Sequence, residues 1–558
     1  MKEQKTVLIL GASLMQKPAI ESALSLGYKT LVVDANPNAV CVPYADRFEN
    51  IDLKNYKALT ELALSLGDSL AAVFTAGTDF SASVSYICEQ CGLKSHSLES
   101  ARNATNKVLM RNCFKKNNVP SPDFLQIDRG DLSLFLETKK LNSIKFPKVI
   151  KPVDNMGARG CRLIRNKGEF LGAVESALSN SRSGKAILED YMEGPEFSID
   201  ALVFDKSVTI TGFADRHIFF PPYFIETGHT MPSNVSQKIK NELIECFVKG
   251  IEALGLTCGA AKADIKYTSK GPMIGEIAAR LSGGYMSGWT YPYASQINLT
   301  QQALLIALGK KPELLIRNRK ALPVKNKIFE VYELPCKNFS AERAWISIPG
   351  KIKELLNQDI AISSPFAKNI FIRNYPASHA VFPRNNVEKC GNIINLAPSY
   401  EDAVFYAQEA VSNIVLRLEP FNQETDNFLN SFEEHTEKSF PPDAFALDEL
   451  TRKKFEAEIK NINDVTSEAE SIAFLPECLK TSSTVLKDFN HRTMEKTLRM
   501  FDKICPFHLP LNGYKFWQAF IRGGLQGILY LNDCTLLLSE QKKHGNMIKK
   551  NINSKNGK

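Results

Sequence analysis

The chain has 558 residues, with a hydrophobic fraction of 44% and a charged fraction of 23%, which is ordinary for a globular protein of about three or four domains. The net charge of +8 is modest, and no stretch reaches the roughly 20 uninterrupted apolar residues of a membrane-spanning helix. The N-terminus lacks a signal-peptide pattern. We therefore expect a cytoplasmic protein with no nucleic-acid partner and no membrane partner.

The twelve cysteines are scattered along the chain rather than spaced as a disulfide framework, which fits a reducing compartment. Cys88 and Cys91 form a single CxxC pair without a second pair. A structural zinc site needs about four ligands, so we do not expect zinc here.

Residues 1–105 alternate short apolar runs with helical patterns. Thr6–Leu10 and Thr30–Val33 have the composition of buried strands, the segment between them has a helical period that ends at Gly27, and Ala71–Phe74 repeats the strand pattern. Such alternation predicts an N-terminal parallel α/β domain. The turn after the first strand lacks the GxGxxG spacing of a dinucleotide site, and Asp34 is interpreted as a turn or cap residue.

Residues 106–320 form a second predicted domain, which mixes strands, hairpins and glycine-rich turns. In Val149–Gly160 an apolar strand carries Lys151, and Gly157 and Gly160 follow in a loop whose backbone N–H groups can turn toward an anion. The lysine precedes the glycines, so this is not the P-loop order. Taken alone, the motif favours a phosphate site and an ordinary turn equally.

Further along the chain, Ala186–Asp200 predicts two strands joined by an acidic linker. The first strand ends at Glu189, and Glu196 begins the second. Backbone groups of Asp190 and Met192 could pair with the edge of a flat heterocycle, and Glu196 could accept hydrogen bonds from ribose hydroxyls. In isolation, a surface loop with solvated acids is the simpler interpretation.

A hairpin follows, in which two carboxylates are predicted to face each other. Cys258–Tyr267 and Pro272–Ile277 are strand patterns, and Thr268–Gly271 is the turn between them. If the hairpin folds about Lys270, Asp264 and Glu276 are equidistant from the turn and would lie opposite each other at about 5 Å, where like charges repel. A cation between them removes the repulsion, and oxygen ligands of this kind suit Mg²⁺.

Arg280, four residues after Glu276, could bind phosphate oxygens bidentately. A lysine–glycine loop, an acidic linker, opposed carboxylates and an arginine in this order resemble the ATP-grasp superfamily. The resemblance covers roughly Asn106–Lys320 and is strongest to the biotin-carboxylase and carbamoyl-phosphate-synthase branch and to amino-acid ligases on the same plan.

The resemblance implies that ATP is bound by the second domain. The residues it assigns to ATP are Lys107, Lys151, Asn155, Gly157, Gly160, Glu189, Asp190, Met192 and Glu196. The two lysines would reach the phosphates and the loop Asp154–Gly160 would close over them. Glu189 and the backbone of Asp190 and Met192 would lie at the adenine, and Glu196 at the ribose.

The resemblance also implies that Asp264 and Glu276 bind Mg²⁺ or Mn²⁺, and that Arg280, with Lys151, acts in catalysis by steadying the transferred phosphoryl group. One position departs from the common pattern. Many relatives have Glu-x-Asn-x-Arg, in which the asparagine is a further metal ligand, whereas Ala278 stands there in this chain. The expected metal site therefore has one protein ligand fewer.

By this resemblance the protein is expected to be an ATP-dependent ligase that activates a small-molecule carboxylate as an acyl phosphate and joins it to a small-molecule amine. Two alternatives stay open. One is a bicarbonate-using carboxylase or carbamoyl-phosphate-synthase-like enzyme, and the other is a non-catalytic ATP-binding module. Relatives of this type often dimerise, so a homodimer is a further expectation.

Three residues are candidates for substrate contacts. Arg216 and His229 lie in the polar and aromatic segment Phe213–Asn234 and could meet a carboxylate or an amine, although a hydrogen-bonded core histidine is the commoner case. Arg373 could point inward from the third region.

The remaining chain predicts a C-terminal α+β domain over 321–421, lid-like in the resemblance, with a helix from Tyr400 to Leu418 capped by Ser399. A polar stretch then precedes a helical extension at 444–540. The lysine-rich end, 541–558, has no acidic residue and is typical of a disordered basic tail. The predicted fold class is thus α/β plus α+β with a helical extension.

Overall fold

The computed structural model describes residues 4–132, 140–324, 326–432 and 439–555. The chain divides into two compact units. The first comprises Met1–Glu342 and Leu396–Val404, and the second comprises Arg343–Asn395 and Phe405–Lys558. Three elements begin in one unit and end in the other: Phe339–Trp345, Gly391–Ala397 and Tyr400–Asn413.

The first unit begins with a four-stranded parallel sheet, which confirms the predicted parallel α/β region. Its strands, in sheet order, are Arg47–Glu49, Lys29–Val33, Thr6–Leu10 and Leu70–Phe74. The helices of this region are Lys17–Ser25, Tyr56–Ser65, Ser81–Cys91 and Leu98–Thr105. The inner strand Thr6–Leu10 consists of β-branched and leucine side chains and is almost wholly buried, as expected for a parallel strand covered on both faces.

A four-stranded antiparallel sheet follows. Its strands, in sheet order, are Phe124–Asp128, Lys185–Asp190, Lys148–Pro152 and Arg162–Ile164. The helices of this segment are Lys107–Lys116, Lys140–Ser143 and Phe170–Ser179. In the register, Glu189 lies opposite Val149 and Ile187 lies opposite Lys151, so the predicted adenine-side acid and phosphate lysine come from neighbouring strands.

The largest sheet of the first unit is antiparallel and carries the predicted carboxylate hairpin at one edge. Its strands, in sheet order, are Gly271–Ala278, Gly259–Thr268, Glu196–Phe204, Ser207–Phe219 and Ile225–Met231. Glu330–Glu333 pairs in parallel with Ser207–Phe219, and Lys320–Ala321 pairs with Glu330–Glu333. The two hairpin strands agree with the prediction to within one residue at each end.

The two faces of this sheet differ in chemistry because successive side chains of a strand point to opposite sides. One face is apolar and packs with the helix Gln237–Leu254 around a core that includes Ile199, Ala263 and Phe247. The other face carries charged side chains, which come from four of its strands. We call it the polar face, and it is defined by Glu196, Asp200, Arg216, Lys262, Asp264 and Glu276.

After the hairpin the first unit continues with helical turns that cover part of the polar face. They are the π-helical turn Met286–Thr290 and the α-helices Tyr291–Ser295, Leu299–Ala307 and Glu313–Asn318. Short 3₁₀ turns lie elsewhere in the chain, at Leu14–Gln16, Val42–Tyr44, Gly67–Ser69, Arg129–Asp131, Lys167–Glu169, Ser471–Phe474 and Glu477–Ser482.

The second unit combines short strands with most of the C-terminal helices. Its strands are Gly350–Leu356, Ala367–Ile372, His379–Ala380 and Val415–Leu418. Its helices are Gln358–Ile362, Gln423–Asn430, Glu449–Ile459, Met494–Ile504 and Gly513–Lys555, the last with non-helical backbone at Gly524. Side chains from both segments, among them Trp345 and Trp517, share one buried core.

One C-terminal prediction is wrong. The helix predicted from Tyr400 to Leu418 ends at Asn413, because Val415–Leu418 pairs as a strand with Gly350–Leu356. The disordered basic tail at 541–558 stays a prediction. Among the described residues, no helix has both the length and the apolarity to cross a membrane.

A close contact between Gly212 and the ring of Tyr291 predicts that a side chain at position 212 destabilises the fold. A Cβ at Gly212 would lie 2.3 Å from Cε2 of Tyr291. We expect Gly212→Ala to lower the free energy of unfolding by about 1–3 kcal/mol in urea titrations, because the ring must move. Gly172→Ala is the control, since that helical glycine has open space around it. Equal effects of the two substitutions would contradict the packing argument.

Candidate nucleotide and metal site

Lys107 contacts both the glycine loop, which is Asp154–Gly160, and the carboxylate hairpin. The Asn106 side chain caps the helix Lys107–Lys116 by accepting from the N–H groups of Val108 and Leu109. From the first helical position, Lys107 Nζ donates to the carbonyl oxygen of Asn155 at 3.0 Å and lies 3.6 Å from Oε1 of Glu276. The side chain is 7% exposed, so this cation is held inside the site.

Glu189 lies between two cations in the interior. Its Oε1 is 2.7 Å from Nη2 of Arg111, and its Oε2 is 2.8 Å from Nζ of Lys151. Burial raises the pKa of Glu189, but the charges of Arg111 and Lys151 outweigh it, so the net pKa is below the usual range. Burial likewise lowers the pKa of Lys151, yet Glu189 raises it to about 12 overall. Both groups are therefore charged at neutral pH.

Sequence reasoning missed Arg111, although it lies four residues after Lys107 on the same helix face as the buried Phe114. Its side chain is fully buried, and Nη2 also donates to the carbonyl oxygen of Gly275 at 2.5 Å. A second charged residue on the helix face that carries Lys107, Met110 and Phe114 was the available signal. Arg111 thus links the predicted adenine-side acid to the hairpin.

The glycine loop is anchored at its base. The Asp154 carboxylate accepts from Ser181 Oγ at 2.8 Å and from the N–H groups of Arg182 and Ser183 at 2.9 and 2.8 Å. Gly157 and Gly160 have φ of +69° and +68°, the left-handed region that favours glycine. A Cβ at Gly160 would lie 2.8 Å from the Cβ of Asn180. The loop can thus turn tightly above a fixed base.

The linker after Glu189 already makes contacts within the chain. The Asp190 N–H donates to the carbonyl oxygen of Asp123 at 3.0 Å, and its carboxylate pairs with Lys148. The Met192 carbonyl oxygen accepts from Lys266 Nζ at 3.2 Å. The Asp190 N–H would have to give up its hydrogen bond to Asp123 before it could donate to a base. The predicted contact of this N–H with adenine therefore requires a local rearrangement.

In the hairpin, Asp264 and Glu276 lie opposite each other, as the sequence predicts. A bulge next to Asp264 leaves Gly275 as the extra residue. Oδ1 of Asp264 contacts Nη1 of Arg216 at 2.5 Å and also Nζ of Lys262. Burial raises the pKa of Asp264, but these two cations outweigh it and hold the pKa below the usual range. Asp264 is therefore ionised.

The donor set suits a magnesium ion that also binds phosphates. Within the described parts of the chain, no group of three or more histidine, cysteine, aspartate or glutamate side chains could hold a metal by itself. The hairpin offers two carboxylates, one of them 29% exposed. Mg²⁺ is commonly bound by one or two carboxylates together with substrate phosphates and water, so the residues fit this ion.

Arg216 is surrounded by three carboxylates. Its guanidinium lies 2.5 Å from Glu196, 2.8 Å from Glu226 and 2.5 Å from Asp264. Glu196 also has Lys266 Nζ at 3.5 Å. The predicted substrate residue, ribose acid and metal ligand are thus parts of one ion-pair network on the polar face, and Glu226 is a member that the sequence did not reveal.

His229 is fully buried beside this network. Its Nδ1 is 3.1 Å from Glu342 Oε2 and 3.9 Å from Glu226 Oε1, and its Nε2 is 2.8 Å from Thr290 Oγ1. Arg373 lies in the second unit, where its Nη1 donates to the carbonyl oxygens of Asn386 and Val387 at 3.2 and 3.4 Å.

Arg280 is held by the loop that follows the parallel strand Leu70–Phe74. Its Nε donates to Oδ1 of Asp79 at 2.6 Å, and Nη1 donates to the carbonyl oxygen of Leu281 at 3.1 Å. Burial raises the pKa of Asp79, but Arg280 outweighs it and the net pKa is low. Asp79 lies just beyond the strand Leu70–Phe74, at the carboxyl end where α/β sheets bind ligands. That position was the signal that sequence reasoning overlooked.

With this geometry established, comparison with known proteins identifies the domain. Residues 144–288 match the family model described as an ATP-grasp domain. The chain contains an ATP-grasp domain. This match confirms the resemblance that the motifs carry.

Among known proteins, the chain is similar to an uncharacterised protein of Sinorhizobium fredii, with 23% identity over 430 residues that cover 76% of this chain and 84% of that protein. It is also similar to human carnosine synthase 1, with 23% identity over 342 residues, 57% of this chain and 41% of that protein. The match thus spans less than half of the human synthase.

Among solved structures, an L-amino acid ligase from Bacillus licheniformis superposes with a TM-score of 0.62 at 17% identity, covering 75% of this chain and 100% of the ligase. The likeness shows that three quarters of the chain share the fold of this ligase.

The buried triad of Arg111, Glu189 and Lys151 predicts strong coupling. We expect Arg111→Met to lower the free energy of unfolding by about 3–5 kcal/mol, because Glu189 loses a buried partner. In a double-mutant cycle with Glu189→Gln, measured by urea titration, the double variant should lose much less than the sum of the single variants. The exposed pair Arg47 and Glu49 is the control and should couple by less than about 1 kcal/mol. Additive effects in the buried triad would contradict its assignment.

Asp200 predicts a pH dependence of stability. It is buried on the polar face, its Oδ2 accepts from the Ser282 N–H at 3.1 Å, and burial raises its pKa to about 6. The folded protein therefore keeps a proton that the unfolded chain releases at lower pH, and stability falls as the pH rises from about 4 to about 7. Asp200→Asn should remove up to about 3 kcal/mol of this fall in the free energy of unfolding. The exposed Asp68→Asn should not, and parallel profiles for the wild type and Asp200→Asn would contradict the prediction.

Proposed function

We propose that the protein is an ATP- and Mg²⁺-dependent ligase that activates a carboxylate as an acyl phosphate and couples it to an amine. The observation that carries this proposal is the opposed pair Asp264 and Glu276, with Lys107 beside one carboxylate and Arg280 four residues beyond it. A carboxylate pair with cations around it suits a metal-bound polyphosphate. ATP-grasp relatives are ligases, which supports the enzyme class.

In this proposal the nucleotide binds between the two antiparallel sheets of the first unit. Lys107 and Lys151 bind the phosphates, and Asn155, Gly157 and Gly160 belong to the loop above them. Glu189 keeps Lys151 in place through its 2.8 Å ion pair. The backbone of Asp190 and Met192 borders the base. Glu196 binds the ribose hydroxyls after its ion pair with Arg216 is broken.

Asp264 and Glu276 would hold Mg²⁺, or Mn²⁺, which when bound neutralises charge on the transferred phosphates. The substrate carboxylate oxygen attacks the γ-phosphorus, and the bond to the ADP oxygen breaks. Lys107, Lys151 and Arg280 contribute by positioning and by charge neutralisation, which are the main requirements of phosphoryl transfer. The glycine loop excludes water, which would otherwise hydrolyse the acyl phosphate. The amine then displaces phosphate and loses a proton.

The substrate class that this site fits best is an amino acid. Glu226 and Glu342 both approach the Nδ1 side of His229, at 3.9 and 3.1 Å. Carboxylates and an imidazole placed in this way can bind an ammonium group and accept its proton. The L-amino acid ligase among the solved structures and the carnosine synthase among the relatives support this choice. A cytoplasmic location and a homodimer stay predictions.

The test is ADP release by the purified protein with ATP and Mg²⁺, against pairs of L-amino acids and, separately, bicarbonate with an amine. We expect ADP release that depends on amino acids, together with a product whose mass is that of the two substrates minus water. Glu276→Gln should lower turnover by at least about 100-fold, because even outer-shell changes at metal sites cost 10–100-fold. Glu245→Gln, an exposed change on the helix Gln237–Leu254, is the control.

Other outcomes would select the alternatives. ADP release that requires bicarbonate would favour a carboxylase or carbamoyl-phosphate-synthase-like reaction. ATP binding without ADP release for any substrate would favour a non-catalytic module. Full turnover in Glu276→Gln would overturn the metal assignment.

A further inference from the structure

Lys262 is a largely buried lysine on the strand Gly259–Thr268 of the carboxylate hairpin. In the register it lies opposite Ala278 on one side and Asp200 on the other, and it is two residues from Asp264 on the same face. Its Nζ contacts Oδ1 of Asp264, and its side chain is 11% exposed. The neighbouring Ala261 and Ala263 point into the apolar core on the opposite face. The ammonium is thereby fixed on the polar face.

The hairpin lacks an oxygen donor where this lysine lies. Glu276 and Ala278 point to the same face, and Ala278 ends in a methyl group directly across from Lys262. A divalent ion at this position would find a methyl group on one strand and an ammonium on the other. The geometry thus provides a cation at the place where a third ligand would be needed.

The distribution of charge between the two carboxylates supports the same view. Asp264 already has two cations, Arg216 and Lys262, and both contact its Oδ1. Glu276 has Lys107 at 3.6 Å and is the more exposed of the two carboxylates. One divalent ion could be held by Glu276 and Asp264 together. A second would lie close to two fixed positive charges, Arg216 and Lys262, which repel it.

We infer that Lys262 is a built-in cation that takes the place of a second divalent metal ion, so that the site binds a single Mg²⁺ together with the nucleotide. This inference rests on the proposed function, because it assumes that ATP and Mg²⁺ bind at the hairpin. Lys262 is a positioning residue in this scheme. Its Nζ contacts Oδ1 of Asp264 and so fixes the position of that carboxylate on the polar face.

The experiment counts bound Mn²⁺ by electron paramagnetic resonance in the full-length protein saturated with AMP-PNP. We expect one bound Mn²⁺ per bound AMP-PNP in the wild type. Lys262→Asn removes the ammonium and adds an amide oxygen, so it should bind two. Lys262→Arg keeps a cation and should bind one. Lys249→Asn, an exposed lysine on the helix Gln237–Leu254, is the matched control and should also bind one.

Each result bears on the inference. Two Mn²⁺ ions in the wild type, or one in both the wild type and Lys262→Asn, would overturn the role of Lys262 and leave ATP and metal binding intact. Absence of nucleotide-dependent Mn²⁺ binding in the wild type would overturn the proposed function as well, so the two failures are distinguishable. If circular dichroism shows that Lys262→Asn does not fold, Lys262→Thr carries the same expectation of two ions.

Discussion

The polar face of the large sheet depends on one electrostatic constraint. Two carboxylates that face each other across adjacent strands repel, and in a half-buried site they persist only when cations neutralise them. Three cations from different elements of the chain neutralise this pair. Lys107 comes from a helix N-terminus, Arg216 from a distant strand, and Lys262 from the hairpin itself. The positions of these elements are therefore linked by charge as well as by packing.

Strand alternation lets charge and core occupy the same strands. Ile199 and Ala263 bury their side chains against the helix Gln237–Leu254, while their neighbours Asp200 and Asp264 point to the polar face. A shift of register by one residue would place carboxylates in the core, which is strongly unfavourable. The apolar half of each strand thus fixes the positions of the charged half, and the site gains its precision from the core rather than from its own ion pairs.

Local patterns allowed much of this arrangement to be predicted from the sequence. The turn between two strand patterns was enough to predict the hairpin and to bring Asp264 near Glu276. Their direct pairing depends on the bulge, because the turn pairs Thr268 with Gly271 and an unbulged register would place Asp264 opposite Gly275. The parallel strands of the N-terminal region followed in the same way from buried-type runs separated by helical periods. These inferences depend only on neighbours in sequence.

The partners from elsewhere in the chain could not be predicted in that way. Arg111 meets Glu189 across 78 residues of sequence, and Arg280 meets Asp79 across some 200, so no local spacing reveals either pair. The end of the helix at Asn413 has a similar cause. The segment that follows has a helical period, but a strand partner elsewhere in the second unit supplies its backbone hydrogen bonds. Tertiary pairing overrides a weak local preference in such cases.

The pattern of ion pairs also bears on what the site selects. Lys107, Lys151 and Arg280 are each paired with a carboxylate of the chain, namely Glu276, Glu189 and Asp79. A ligand that recruits these cations has to compete with charges already in place, and leaving a buried carboxylate without any partner is costly. A neutral or singly charged ligand offers little in exchange. A polyphosphate that arrives with its own divalent ion can contact several of the cations while the metal satisfies the carboxylates. Recognition in this site is therefore expected to depend on exchanging a set of ion pairs together, which favours a metal-bound triphosphate over simpler anions.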